Sequence, residues 1–421
     1  MTVTVYPSKL KGTVSGISSK SYLHRILICA ALSEGKTEIS FNTMSKDISA
    51  TISAISAFGK KAECLNGKLV VSDGDFFDSI NVNESGSTFR FILPILSVIC
   101  KNREVEINGS EYLASRPISP LYEELTAKGA KISKKGVFPM TVSGNIQSGK
   151  FTLPGNISSQ FVSGLLLALP MVSGDSEIYI EGTLQSKPYV DITIECMKLF
   201  GVDVEETSYG YFVRGGRKYI SPRNIICEND YSNAAFFLTA GALSEEFVGV
   251  KNLNPKTCQG DSEIVNLLEW FGSEKKIEGN TVSFRNKALN SIGIDATDIP
   301  DLVPILSLAA SVANGETRIY GAERLRYKES DRLKSVSTVL NSLGADITET
   351  DDGLIIRGVK KLKGGRVDSF NDHRIAMTAA IASCVSENEI IIDNFEAITK
   401  SYPGFLEDFA NIGGIFLKEE K

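Results

Sequence analysis

Six glycines recur along this 421-residue chain at Gly59, Gly129, Gly201, Gly272, Gly344 and Gly413, at intervals of 70, 72, 71, 72 and 69 residues. Each closes a helix-like run and precedes an extended one, as in Leu343-Gly344-Ala345-Asp346-Ile347. Glycine supplies the left-handed cap conformation that other residues resist. Caps at a fixed interval predict six copies of one supersecondary unit. Six units divide naturally into two domains of three, and the mixture of strands and helices in each unit makes the chain α/β.

Each unit also carries an apolar helical run: Ser21 to Ser33, Thr88 to Cys100, Phe161 to Val172, Asn233 to Leu243, Leu302 to Ala313 and Ile375 to Val385. These runs are apolar enough to be buried, and their polar residues gather at the N-terminal ends. The ends read Ser18-Ser19-Lys20-Ser21, Glu84-Ser85-Gly86-Ser87, Ser158-Ser159-Gln160, Asp230-Tyr231-Ser232, Asp298-Ile299-Pro300-Asp301 and Asn371-Asp372-His373-Arg374. Serine, aspartate and asparagine there are ordinary helix caps, and Asp301 or Asp298 could serve as one. Lys20, Arg25, Arg90 and Arg374 are different, because a cation is disfavoured at the positive end of a helix dipole. Several cations at helix mouths make sense around a bound anion. A basic residue also stands 13 to 16 positions before each unit glycine: Lys46, Arg116, Lys187, Lys256, Lys328 and Lys400. In Arg116-Pro117 and Lys187-Pro188 the proline is expected to pin the cation at the first helical turn.

A net charge of −6 and a pI near 5.4 exclude a nucleic-acid footprint. Seven cysteines without a C-x-x-C spacing fit reduced thiols in a cytoplasmic protein. No apolar run approaches a membrane span, and the strand-like Thr2 to Tyr6 at the N-terminus leaves no signal or transit peptide expected. His24 and His373 belong to no metal-spaced cluster, so no metal is expected. There is no P-loop, no G-x-G-x-x-G after a strand and no nucleophile elbow; Gly12-Thr-Val-Ser-Gly16 reads as a glycine-bearing turn. The sixth unit stops after one strand, Ile415 to Leu417, while Thr2 to Tyr6 is a strand without a unit. The N-terminus is therefore expected to complete the C-terminal domain. The predicted domains are 12–227, and 228–421 plus 1–11, joined twice by a hinge whose active ends face each other.

Five strings then carry a resemblance: Ser18-Ser-Lys-Ser21 with Arg25, Ser158-Ser-Gln-Phe161, Ser186-Lys-Pro-Tyr189, Lys328-Glu-Ser-Asp-Arg332 and Asn371-Asp-His-Arg374. Together they resemble the 5-enolpyruvylshikimate-3-phosphate synthase family over the whole chain. The resemblance implies two domains of three βαβαββ units, the inside-out α/β barrel of the enolpyruvyl transferases. It also implies transfer of the enolpyruvyl group of phosphoenolpyruvate to the 5-hydroxyl of shikimate 3-phosphate, through a tetrahedral intermediate, with release of phosphate. By motif, Lys20, Ser21, Arg25, Ser158, Ser159, Gln160, Ser186, Asp301 and Lys328 are expected on shikimate 3-phosphate. Lys20, Gly86, Arg116, Gln160, Arg332, Arg374 and Lys400 are expected on phosphoenolpyruvate, with Arg90 in support. Asp301 is the expected base and Glu329 the expected acid, with Lys20 as a third catalytic group. No cofactor and a monomeric enzyme are expected.

One departure is Arg324, which stands where well-studied bacterial members carry asparagine. The sister enzyme that uses UDP-N-acetylglucosamine carries a cysteine in the loop before its Arg-Pro pair, and here that loop is Glu111-Tyr-Leu-Ala-Ser115. A non-catalytic polyanion-binding scaffold would not need Asp301 and Glu329. Glyphosate competes with phosphoenolpyruvate in this family, which draws attention to Gly86, although Ser87 and Phe91 depart from the residues usual in sensitive members.

Overall fold

The computed structural model describes residues 1–419. All six repeat glycines have positive φ, from 72° at Gly59 to 107° at Gly129. Each therefore ends a helix in the conformation that glycine alone adopts without strain, and the periodicity seen in the sequence is the periodicity of the fold. Six four-stranded sheets share one pattern, an edge strand parallel to its neighbour followed by two antiparallel strands. In the second unit Ser79–Asn81 runs parallel to Val105–Asn108, and the helix Gly86–Ile99 makes the crossover that parallel strands require. Val105 and Ile107 are buried while Glu106 between them faces outward, the period-two signature of a sheet with one covered face.

The apolar runs form the inner helices Lys20–Leu32, Gly86–Ile99, Ser159–Ala168, Tyr231–Leu243, Val303–Ser311 and His373–Ile381. All thirteen residues of Tyr231–Leu243 are buried, which is why that helix is apolar around its whole circumference. Side chains of Ser19, Ser85, Ser158, Asp230 and Asp372 cap five of the six by accepting backbone N–H bonds. The fifth is the exception. Asp301 lies within the 3-10 turn Pro300–Leu302, and the residues at the N-cap positions of that turn and of the helix that follows, Ile299 and Leu302, have apolar side chains that cannot cap.

The chain divides into one compact unit of residues 18–228 and another of residues 1–17 with 229–421. Thr2–Tyr6 lies between Ile390–Asp393 and Ile415–Glu419, antiparallel to both, with Thr2 opposite Glu419. Residues 12–17 also fall in this second unit, although the sequence places them in the first. Gly12–Ser15 is a strand parallel to Val248–Lys251, not a turn. Its place in the first sheet, beside Thr37–Ser40, is taken by Asn224–Ile226. The repeat pattern holds, and the two edge strands are exchanged along the sequence. Two glycines in five residues masked a strand whose pairing is set 236 positions away.

Candidate active site

In the unit of residues 18–228, three helix mouths supply the candidate side chains. Lys20 opens the first inner helix, and its cost at a positive helix end is offset by Asp47, whose Oδ2 lies 3.0 Å from Nζ. Asp47 is in the first turn of Lys46–Ala54, where a carboxylate is favourable. Arg25 is buried against Phe91, with its guanidinium 4.8 Å from the ring centre. Its Nε donates to Thr193 Oγ1 at 2.6 Å, Nη1 to the Ser21 carbonyl at 2.7 Å and Nη2 to the Tyr189 carbonyl at 2.9 Å. Arg25 thus ties the mouth at Ser21 to the outer helix Lys187–Leu199. Ser186 precedes that helix with φ of 55° and is buried. Lys187 behind it pairs with Asp191 and Glu206.

Gly86 begins the second inner helix, and a Cβ there would stand 2.6 Å from Arg90 Nη1 and 3.0 Å from Arg116 Nη1. The absent side chain is what lets two guanidinium groups approach this helix end. Arg90 Nη1 donates to Gln160 Oε1 at 3.0 Å, and Gln160 Nε2 donates to Ser87 Oγ at 2.9 Å. Gly86, Arg116 and Gln160 are brought together here, with Arg90 at the centre of the cluster. Ser158 caps the helix that Ser159 and Gln160 open. Arg116 does not sit at a first helical turn as expected from Arg116-Pro117. It follows the short helix Glu111–Ser115, and the next helix starts only at Leu121 after Pro120. A second proline three residues on moves the helix start beyond the cation.

In the unit of residues 1–17 and 229–421, Arg332 is the hub. Its side chain is 1% exposed, and it meets three carboxylates: Asp301 at 2.7 Å, Glu329 at 2.6 Å and Asp372 at 2.8 Å. Asp301 in turn receives Arg374 Nη2 on its other oxygen at 2.7 Å, with Lys328 Nζ at 3.8 Å. Burial would raise the Asp301 pKa, but the charges of Arg374, Lys328 and Arg332 outweigh it and hold the carboxyl well below its usual range. For Lys328, burial dominates and lowers the ammonium pKa to about 8, with Asp301 opposing and Arg332 and Arg324 adding to the fall. Arg324, the departure from the family pattern, is thus a buried cation that acts on Lys328. Lys400 donates to the carbonyl of Asn371, the neighbour of Asp372, at 2.7 Å.

Three carboxylates that matter escaped the sequence reading. Asp47 and Asp372 look like any helix-mouth aspartate, and their partners Lys20 and Arg332 are 27 and 40 positions away. The third, Asp261, is buried in the 3-10 turn Gly260–Glu263 and accepts the Ser232 hydroxyl. Burial first, and then the Asp301 charge, push its pKa from 3.8 to about 7, against the pull of Arg374. Such a carboxyl ionises less readily folded than unfolded, so it subtracts stability progressively as pH rises between these values. The shift corresponds to on the order of 4 kcal/mol. Asp261→Asn should therefore flatten the fall in denaturation midpoint between acid and neutral pH, and parallel pH profiles for parent and variant would reject a raised pKa.

The fold agrees with what the chain is similar to. A family model, EPSP synthase (3-phosphoshikimate 1-carboxyvinyltransferase), matches residues 5–409. The 3-phosphoshikimate 1-carboxyvinyltransferase of Clostridium perfringens (strain ATCC 13124) is 43% identical over 426 residues, covering 99% of each chain. That of Clostridioides difficile (strain 630) is 41% identical over 426 residues and 97% of each. A solved EPSP synthase from Acinetobacter baumannii matches with a TM-score of 0.82 at 26% identity, over 99% of this chain and 100% of that one. Fold and sequence define an α/β transferase built from six repeat units. The chain belongs to the EPSP synthase family.

Proposed function

We infer how this chain divides the work of its family's reaction, the transfer of the enolpyruvyl group of phosphoenolpyruvate to the 5-hydroxyl of shikimate 3-phosphate. The observation that carries the reading is the meeting of Asp301, Glu329, Lys328 and Arg374 on or beside the buried guanidinium of Arg332. Shikimate 3-phosphate takes Lys20, Ser21, Arg25, Ser158, Ser159, Gln160, Ser186, Asp301 and Lys328. Phosphoenolpyruvate takes Lys20, Gly86, Arg116 and Gln160, together with Arg332, Arg374 and Lys400. Planar arginines suit the bidentate recognition of phosphate and carboxylate.

Asp301 accepts the proton of the 5-hydroxyl while that oxygen bonds to the central carbon of phosphoenolpyruvate, and Glu329, paired with Arg332 at 2.6 Å, takes up a proton through substrate binding or from Lys20 and delivers it to the methylene carbon. Glu329, ionised after that delivery, then removes a methyl proton as the bond to phosphate breaks, the proton held by Asp301 passes to the departing phosphate, and the cations stabilise the leaving charge. Asp301 begins as an ionised but weak base, because Arg374 and Arg332 occupy its oxygens. Anionic substrate that draws Arg374 and Lys328 away raises its basicity, so binding itself readies the base. A monomeric enzyme acting in the cytoplasm completes the reading, and the absence of any disulfide among the seven cysteines is compatible with it. Among the described residues no helix is long and apolar enough to cross a membrane.

Phosphate release measured with phosphoenolpyruvate and shikimate 3-phosphate, and again with UDP-N-acetylglucosamine as acceptor, tests the assignment; release only with the latter would overturn it. Lys20→Ala should cost turnover at least ~100-fold, the scale of a lost transition-state electrostatic group, while Asp47 keeps enough solvent contact for the fold to survive. Near-normal phosphate release would remove Lys20 from the site. Glyphosate should inhibit competitively with phosphoenolpyruvate. In Gly86→Ala the new methyl displaces the ends of Arg90 and Arg116, so inhibition should weaken along with some affinity for phosphoenolpyruvate. Equal inhibition of both proteins would show that Gly86 does not set the length of the pocket.

A further inference from the structure

We propose that His24 is a positioning residue, tying the helix that carries Lys20 and Arg25 to the first turn of the helix that begins at Gly86 through a chain of buried hydroxyls. His24 Nδ1 lies 2.7 Å from Thr51 Oγ1, Thr51 Oγ1 lies 2.7 Å from Thr88 Oγ1, and Thr88 Oγ1 lies 2.7 Å from Ser85 Oγ. None of the four side-chain-bearing residues is more than 1% exposed. Ser85 is the cap of the Gly86 helix and accepts the Thr88 backbone N–H. The inference rests on the placement of phosphoenolpyruvate at Gly86 and Arg116.

The helical register gives this chain its purpose. Lys20 and His24 are one turn apart on one helix, and Asp47 and Thr51 are one turn apart on the next. Lys20–Asp47 and His24–Thr51 are therefore successive rungs between the same two helices. The second rung continues through Thr88 to Ser85, so the mouth holding Lys20 and the mouth holding Gly86 are fixed against a shared middle helix. An apolar seam could pack these helices equally tightly. A hydrogen-bonded one allows a single register, since any slip leaves buried hydroxyls without partners.

The chain also has a direction. Burial, reinforced by the charges of Lys20 and Arg25, keeps the imidazole neutral, so one ring nitrogen carries a proton. Among the described residues Nε2 has no hydrogen-bond partner, and a buried N–H without an acceptor is the rarer defect. The proton therefore sits on Nδ1 and is donated to Thr51. Thr51 then donates to Thr88 and Thr88 to Ser85, and every bond points toward the Gly86 turn.

Thr51→Val keeps the shape and deletes the middle hydroxyl. It should raise the KM for phosphoenolpyruvate about tenfold, with the KM for shikimate 3-phosphate moving less than about twofold, a split that general loosening does not produce. Thr51→Ser, which keeps the hydroxyl, should restore the parent value. Nitrogen-15 shifts of His24 in the intact protein should show protonated Nδ1 without titration through neutral pH. An unchanged KM for phosphoenolpyruvate in Thr51→Val, or an equal rise in both KM values, overturns the proposal when Arg116→Ala still raises the KM for phosphoenolpyruvate. No effect from Arg116→Ala would instead overturn the site placement and the proposal with it. Should Thr51→Val not fold, Thr88→Val against Thr88→Ser tests the next link by the same measurements. A proton on Nε2 would overturn the stated direction.

Discussion

Asp301→Asn should lower turnover roughly 10³-fold, the middle of the range for a lost general base, without raising the KM for either substrate. Asparagine preserves shape and removes one negative charge from among Arg332, Arg374 and Lys328. Those cations then meet anionic substrates with less competition, so binding should hold or tighten while chemistry fails. The substitution also removes the charge that supports the Lys328 ammonium, so its pKa should fall below about 8. Substrate affinity in the variant should accordingly decline at lower alkaline pH than in the parent. Turnover within tenfold of the parent would remove Asp301 from the base role.

Arg332→Met should destabilise the unit of residues 1–17 and 229–421 by about 3–5 kcal/mol, as when one partner of a buried ion pair is deleted. Methionine fills much of the volume but leaves Asp301, Glu329 and Asp372 facing one another without their shared cation. The deficit has a predictable pH dependence. A carboxyl held below its usual pKa, as Asp301 is, contributes stability that is present above the unfolded value and lost as pH falls through the folded one. Parent and variant should therefore differ most at neutral pH and converge in acid. Coincident melting curves at pH 7 would mean that Arg332 holds nothing together.

The sequence made the repeat legible because its signals are local. A left-handed glycine after a helix, or a serine before one, depends on a few neighbouring residues, and six glycines and five side-chain caps are where the pattern puts them. Pairing over distance was not legible. Nothing near Lys20 names Asp47, and nothing near Arg332 names Asp301 or Asp372, whereas Glu329, three residues from Arg332, is a local neighbour. Arg116-Pro117 misled because Pro120 competes with Pro117 for the helix start. Gly12–Ser15 misled because a strand's sheet is chosen by its partner, and here the partner is Val248–Lys251. Local chemistry located the candidate residues, while their mutual electrostatics required the tertiary contacts.

The exchange of Gly12–Ser15 with Asn224–Ile226 and the insertion of Thr2–Tyr6 make the two halves unequal when the chain is cut. A fragment of residues 18–228 contains all the strands of its three four-stranded sheets. A fragment starting at residue 229 has one sheet without its parallel edge and another without an inner strand, so that Ile415–Glu419 has nothing to pair with. Only the first half is a separable module. The second is divisible only if the first seventeen residues travel with it, and with Thr2 opposite Glu419, a short turn linking the two ends would join them as a hairpin.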